Sequence, residues 1–145
     1  MGKELTVESI MTTPVITLKP SSSIMEAIKL MGEKNIGCIV VAEDERPVGI
    51  VTERDIIRFL MMRGKEGLDA QIATIMRRPV ITCTPDTAVT RAYVMMYENR
   101  IRRLPVVKDE KLVGIVTERD LIYWFLKMLG YPATRRVLEE MRSGD

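Results

Sequence analysis

Short apolar runs separated by polar breaks follow one another along the chain in a fixed order. Val7-Glu8-Ser9-Ile10-Met11 reads as a short helical lead-in. Val15-Ile16-Thr17-Leu18, β-branched and preceded by Pro14, reads as a short strand. Pro20-Ser21-Ser22-Ser23 offers an N-cap. Ile24, Ala27, Ile28, Leu30 and Met31 then recur near helical spacing and predict an amphipathic helix. Gly37-Cys38-Ile39-Val40-Val41 reads as a fully buried strand, Glu43-Asp44-Glu45-Arg46-Pro47 as a polar turn, and Val48-Gly49-Ile50-Val51 as the next strand. Thr52 opens a second helix carrying Ile56, Ile57, Phe59 and Leu60. The order β-α-β-β-α predicts a mixed α/β class.

That order occurs twice. Ile10-Met11-Thr12-Thr13-Pro14-Val15-Ile16-Thr17 recurs as Ile75-Met76-Arg77-Arg78-Pro79-Val80-Ile81-Thr82, and Val48-Gly49-Ile50-Val51-Thr52-Glu53-Arg54-Asp55 recurs unchanged from Val113 to Asp120, both at an offset of 65 residues. Pro20, Ala27, Met31 and Ile36 match Pro85, Ala92, Met96 and Ile101 with no gap. Two copies make a paired unit rather than a solenoid. The chain therefore divides into repeat 1 at 5–62, a Gly-containing connector at 63–69, repeat 2 at 70–127 and a tail at 128–145. One copy buries too little surface to be secure alone, so the two are expected to pack sheet to sheet about a pseudo-two-fold axis. Tyr123-Trp124-Phe125-Leu126 and Thr134 to Met141 are expected to form an added C-terminal helical tail, suited to packing within the chain or to an oligomer contact.

Composition narrows the chemistry. The 145 residues are 46% hydrophobic and 29% charged, with a net charge of +2 from 22 basic and 20 acidic side chains, which is ordinary for a globular protein and too balanced for nucleic-acid binding by bulk charge. There is no histidine, so Ser/His/Asp and Cys/His arrangements and His-ligated zinc are excluded. Cys38 and Cys83 sit in apolar runs and read as small buried hydrophobes, in keeping with a reducing, cytoplasmic setting. The apolar stretch from Leu121 to Leu129 contains Lys127 and is too short for a membrane span. The match of Met1-Gly2-Lys3-Glu4-Leu5-Thr6 to a permissive myristoylation pattern is read as chance.

Thr-x-x-Asp follows a strand in both copies, as Thr52/Asp55 and Thr117/Asp120. The bland reading is a helix capping box. The functional reading adds that a helix N-terminus attracts anions, while a carboxylate in its first turn repels phosphate and accepts hydrogen bonds from two adjacent ribose hydroxyls. The phosphate then needs a cation. Arg102 and Arg103 stand where the first copy has Gly37 and Cys38, and guanidinium forks suit phosphate oxygens, so two inequivalent sites are expected.

Two copies of β-α-β-β-α ending in Gly-Ile-Val-Thr-Glu-Arg-Asp, with Leu104-Pro105-Val106-Val107 before the last hairpin, resemble a tandem cystathionine-β-synthase (CBS) domain pair, or Bateman module. The resemblance implies clefts between the copies for AMP, ADP, ATP or S-adenosylmethionine, a flat homodimer, and regulation of an effector protein. Carried over by position, it places Asp55 and Thr52 on the ribose of one cleft, Val80 and Ile81 at its adenine, and Arg102, Arg103 and Arg119 at its phosphate. The second cleft takes Thr117 and Asp120 for the sugar, Val15 and Ile16 for the base, and Gly37, Cys38 and Arg54 at the phosphate, so one cation remains there. Val40 replaces the proline present at Pro105, a departure at the same cleft.

The expected function is a regulatory module that senses adenine nucleotides and is not an enzyme, since Glu53 and Glu118 lack an accompanying nucleophile or metal cluster. No separate cofactor and no metal is expected. One alternative is a structural or protein-interaction module docking through Trp124, Phe125 and Tyr131. Another is nucleic-acid binding through Arg77-Arg78, Arg102-Arg103 and Arg135-Arg136, for which an aromatic content of 5% offers few stacking platforms.

Overall fold

A computed structural model of the chain describes residues 5–130. They form two compact units, one spanning Ile16–Val80 and the other combining the N-terminal residues up to Val15 with those from Ile81 onward.

In the continuous unit, strand β1 (Thr17–Leu18) leads to helix α1 (Ile24–Lys34), the hairpin of β2 (Cys38–Glu43) and β3 (Arg46–Thr52), and helix α2 (Glu53–Arg63). Ser23 caps α1 by accepting from Glu26 N at 3.0 Å. Ile24, Ala27 and Met31, three and four residues apart, form its buried stripe. The sheet order is β1-β2-β3, with β1 parallel to β2 (Thr17 opposite Val40) and β2 antiparallel to β3 (Cys38 opposite Thr52). Asp44 and Glu45 both take positive φ, so the hairpin closes in a two-residue turn, the form that matches strand twist. The connector is itself ordered: Gly64–Asp69 is a 3-10 helix whose buried Gly67 lies against Phe59 and Leu60. A second 3-10 turn, Ile72–Thr74, follows.

The other unit repeats this plan. A 3-10 turn, Val7–Ser9, is followed after Ile81 by helix α3 (Val89–Asn99), strands β4 (Arg103–Lys108) and β5 (Lys111–Thr117), and helix α4 (Glu118–Met128). The hairpin turn again has two positive-φ residues, Asp109 and Glu110, and the register shifts by one residue between Val106 and Val107 as it does between Val41 and Ala42 in the first hairpin. The β1 position is reduced to a bridge from Cys83 to Val106.

The lead-in segments do not stay with their own repeats. Residues of repeat 2 complete the core of repeat 1: Ile72 is fully buried among Ile24, Ile39, Val41 and Val51. Conversely Val7 is fully buried among Val89, Leu104, Val106 and Val116. The spatial units therefore divide the chain differently from the sequence repeats 5–62 and 70–127. The chain passes from one unit to the other between Val15 and Ile16 and again between Val80 and Ile81.

Two expectations need adjustment. Tyr123 to Leu126 belong to α4, the last helix of the repeat, rather than to an added tail. The helical expectation for Thr134 to Met141 lies outside the described residues, as does Tyr131. Of the cysteines, Cys83 is buried and Cys38 only half-buried. Burial pushes the Cys83 thiol up to about 11, with a side-chain hydrogen bond to Thr87 offsetting part of the rise. In native protein, alkylation of Cys83 by iodoacetamide at pH 8 is therefore expected to be negligible and to accelerate only as pH climbs toward that value. Fast labelling at pH 8, located by peptide mass mapping, counts against this burial.

Candidate functional site

Each Thr-x-x-Asp motif folds as a complete capping box. Thr52 Oγ1 accepts from Asp55 N at 3.2 Å, while Asp55 Oδ2 accepts from Thr52 N at 3.2 Å and from Thr52 Oγ1 at 2.9 Å. Thr117 and Asp120 repeat this geometry at 3.2, 2.9 and 3.0 Å. The bland reading is thus correct, and it also has a functional consequence. Fixing Oδ2 to the helix start sets the orientation of the whole carboxylate, so the position of Oδ1 is set without further partners.

The flanking strand delivers the neighbouring residues. Cys38 is the register partner of Thr52, and Gly37 O accepts from Glu53 N at 3.0 Å. In the other unit Arg103 is the partner of Thr117, and Arg102 O accepts from Glu118 N at 2.8 Å. Thr52, Asp55, Gly37 and Cys38 therefore share one unit. Thr117, Asp120, Arg102, Arg103 and Arg119 share the other. Arg102 is exposed and approaches Glu118 at 3.9 Å, a weak surface pair. Arg103 and Arg119 are half-buried and Arg54 is exposed. Val15, Ile16, Val80 and Ile81 are half-buried and follow the cis peptides Thr13–Pro14 and Arg78–Pro79. The unit boundary falls inside both expected base-binding pairs, Val15 with Ile16 and Val80 with Ile81.

One residue at Asp55 escaped the sequence reading. Arg77 N and O are bonded to Ile50 O and N at 2.9 and 3.1 Å, which adds Arg77 to the edge of β3. From there its Nη2 donates to Asp55 Oδ1 at 2.9 Å and its Nε to Oδ1 and Oδ2 at 3.1 and 3.3 Å. The Asp55 side chain is 9% exposed and the Arg77 side chain 62%. Burial pushes the Asp55 carboxyl up, but the bonds from Arg77 and Thr52 outweigh it and hold it below the ordinary carboxylate range. A carboxylate depressed in the fold stabilises the protein above its unfolded pKa, and that stabilisation is lost as pH falls through the folded value. The repeat equivalent of Arg77 is Thr12, bonded in the same way to Ile115 at 2.8 and 3.1 Å. The available signal was the 65-residue offset itself, which sets Arg77 against Thr12.

Asp120 is buried at 6% exposure and lines a cavity of about 550 Å³ within its own unit, together with Leu5, Met11, Tyr123, Trp124 and Lys127. That volume lies in the range of small-molecule sites. Of this wall, Tyr123 and Trp124 are the residues that the sequence pattern assigns to an added tail. Among the described residues there is no cluster of three metal-ligating side chains, and no helix is long and apolar enough to cross a membrane.

A family model for the CBS domain matches residues 7–62 and again 72–127. The chain belongs to the CBS domain family. It is similar to the CBS domain pair of protein MJ0100, solved in complex with 5'-methylthioadenosine and S-adenosyl-L-methionine, with a TM-score of 0.79 and 33% identity over 87% of this chain and 99% of that one. It is also similar to CBSX2, solved in complex with AMP, with a TM-score of 0.76 and 27% identity over 86% and 98% of the two chains. A curated relative, the mitochondrial CBS domain-containing protein CBSX3 of Arabidopsis thaliana, is 36% identical over 105 residues, 69% of this chain, which spans about half (51%) of that protein. The tandem repeat of the CBS pair and its mixed α/β class agree with the reading from sequence.

Proposed function

We propose that this CBS pair is a regulatory module that binds adenosine-containing ligands through Asp55 and Asp120 and passes the binding state to an effector protein. The observation that carries the reading is the pair of capping boxes, each holding a carboxylate in fixed orientation at a helix start. Such a group accepts two hydrogen bonds from a ribose diol. The AMP complex of CBSX2 and the methylthioadenosine and S-adenosylmethionine complex of MJ0100 support the ligand class. Arg102 and Arg103 are the proposed partners of the ligand's anionic oxygens.

The test is thermal unfolding and calorimetry with AMP, ATP and S-adenosylmethionine. A ligand present at 100 times its Kd stabilises by about 2.7 kcal/mol, a rise of several degrees in melting temperature. Asp55→Ala, or Arg102→Ala with Arg103→Ala, is expected to remove most of that rise for the nucleotides. If no adenosine compound shifts the transition, the reading fails.

A protein-contact role is favoured by a separate observation. Ile57, Met61 and Met62 on α2 are 57%, 82% and 86% exposed, and Ile122 and Met128 on α4 are 40% and 60% exposed. These are the faces that a homodimer of the implied kind, or an effector, would cover. Nucleic-acid binding loses one of its basic residues to a structural pair, because Arg77 is bonded to Asp55.

A further inference from the structure

Arg77 and Asp55 make the two carboxylate sites chemically different in a way that bears on ligand choice. The capping box consumes Asp55 Oδ2, and Oδ1 accepts the two nitrogens of Arg77. A ribose diol reaching Asp55 must take the lone pairs that Arg77 now uses. The guanidinium is free to swing on its stem, since its side chain is 62% exposed, but its Cα is pinned to β3 by the two bonds to Ile50. Once displaced, it stays within a side chain's length of the sugar.

We propose that Arg77 is a specificity-determining residue that selects anionic ligands at Asp55: it pairs with the carboxylate until a diol replaces it, then pairs with an anionic group carried on the same sugar. This rests on the ligand-binding reading above and deepens it. A nucleoside phosphate exchanges one ion pair for another. Neutral adenosine or methylthioadenosine takes the carboxylate and leaves the guanidinium with solvent alone. The sulfonium of S-adenosylmethionine adds a like charge beside it. On the Asp120 side the same backbone position, bonded to Ile115 as Arg77 is to Ile50, carries the neutral Thr12, so the discrimination belongs to one site only.

The size of the effect follows from exposure. An ion pair with one partner in solvent is weak, so holding the carboxylate weakens neutral ligands about threefold, and re-pairing returns a similar factor to anionic ones. The experiment is calorimetry of the full chain with adenosine and with AMP, using Asp55→Asn to assign the isotherm component that belongs to this site. In Arg77→Met, adenosine is expected to bind about threefold tighter at that component while AMP, which loses the displacement cost and the re-pairing together, changes little, so the preference for AMP over adenosine falls about threefold. The placement of the side chain in solvent makes a folding defect unexpected, and the melting temperature without ligand checks it. Thr12→Arg provides an independent second variant, expected to weaken adenosine at the Asp120 component while leaving the Asp55 component unchanged. If AMP binds and Arg77→Met leaves the adenosine-to-AMP ratio unaltered, the specificity role is overturned while the ligand-binding reading stands. If neither adenosine nor AMP binds the unmodified chain, that reading falls and takes this inference with it.

Discussion

A polypeptide of residues 16–80 is expected to unfold in a cooperative transition, and one of residues 5–62, the first repeat as the sequence divides it, to show none. The shorter piece lacks Ile72, which is fully buried in the core of this unit, together with Leu68, Ala70, Ile75 and Met76 packed against it. It also loses the bonds from Ile72 N to Ser22 O at 2.8 Å, Ala73 N to Pro20 O at 3.1 Å and Ile24 N to Ala70 O at 2.9 Å. Removing one large buried side chain from a core costs about 2–5 kcal/mol, and a unit of this size holds only about 3–10 kcal/mol in total. Deleting Ile72 and its neighbours therefore exceeds what the unit has. The residues that 5–62 retains in exchange, Val7 to Met11, pack in the other unit and return nothing to this core. Guanidinium titration followed by circular dichroism distinguishes the two pieces. Cooperative unfolding of 5–62 with none for 16–80 would mean that the lead-ins stay with their own repeats.

Much of this architecture was legible in the sequence because its signals are local. Ser23 before an apolar stripe marks α1, the β-branched run around Ile39 marks β2, and Thr52 with Asp55 marks the start of α2, each within a few residues. The duplication strengthened each signal by showing it twice. The exchange of lead-ins was not legible. Val7 and Ile72 are apolar in either arrangement, and nothing in hydrophobic pattern says which of two near-identical cores receives them. Arg77 was missed for a related reason: it lies 22 residues from Asp55, in a stretch that reads as a basic surface pair with Arg78. Its role depends on a bridge to Ile50 that has no local signature. The misplacement of Tyr123 to Leu126 has a different cause. Arg58 to Met61, their counterparts in α2, lack the aromatic cluster, so composition made the last turns of α4 look like an addition.

Gly49→Ala is expected to lower stability by about 1–3 kcal/mol, the usual cost of forcing an extra carbon into a filled space. A Cβ at Gly49 would stand 2.6 Å from Met76 Sδ, 2.7 Å from Cγ and 2.9 Å from Cβ. Rotating the thioether away relieves the first two contacts but not the third, because the Met76 Cβ moves only with its backbone. That backbone is tied by the bond from Met76 N to Ile72 O at 2.9 Å and by the paired bonds between Arg77 and Ile50. The equivalent position separates the two causes. At Gly114 a Cβ would meet Met11 Sδ at 2.5 Å and Cγ at 2.9 Å, but Cβ at 3.3 Å, so a rotamer change clears the severe contacts. Gly114→Ala should therefore cost clearly less than Gly49→Ala, although the sequence around the two glycines is identical. In a Met76→Ala background, most of the Gly49→Ala penalty should vanish, leaving a coupling of about 1–2 kcal/mol in the double-mutant cycle. The cycle measured by thermal unfolding decides the matter. Equal penalties at the two glycines, or no coupling to Met76, would show that the lead-in of the second repeat does not press against β3.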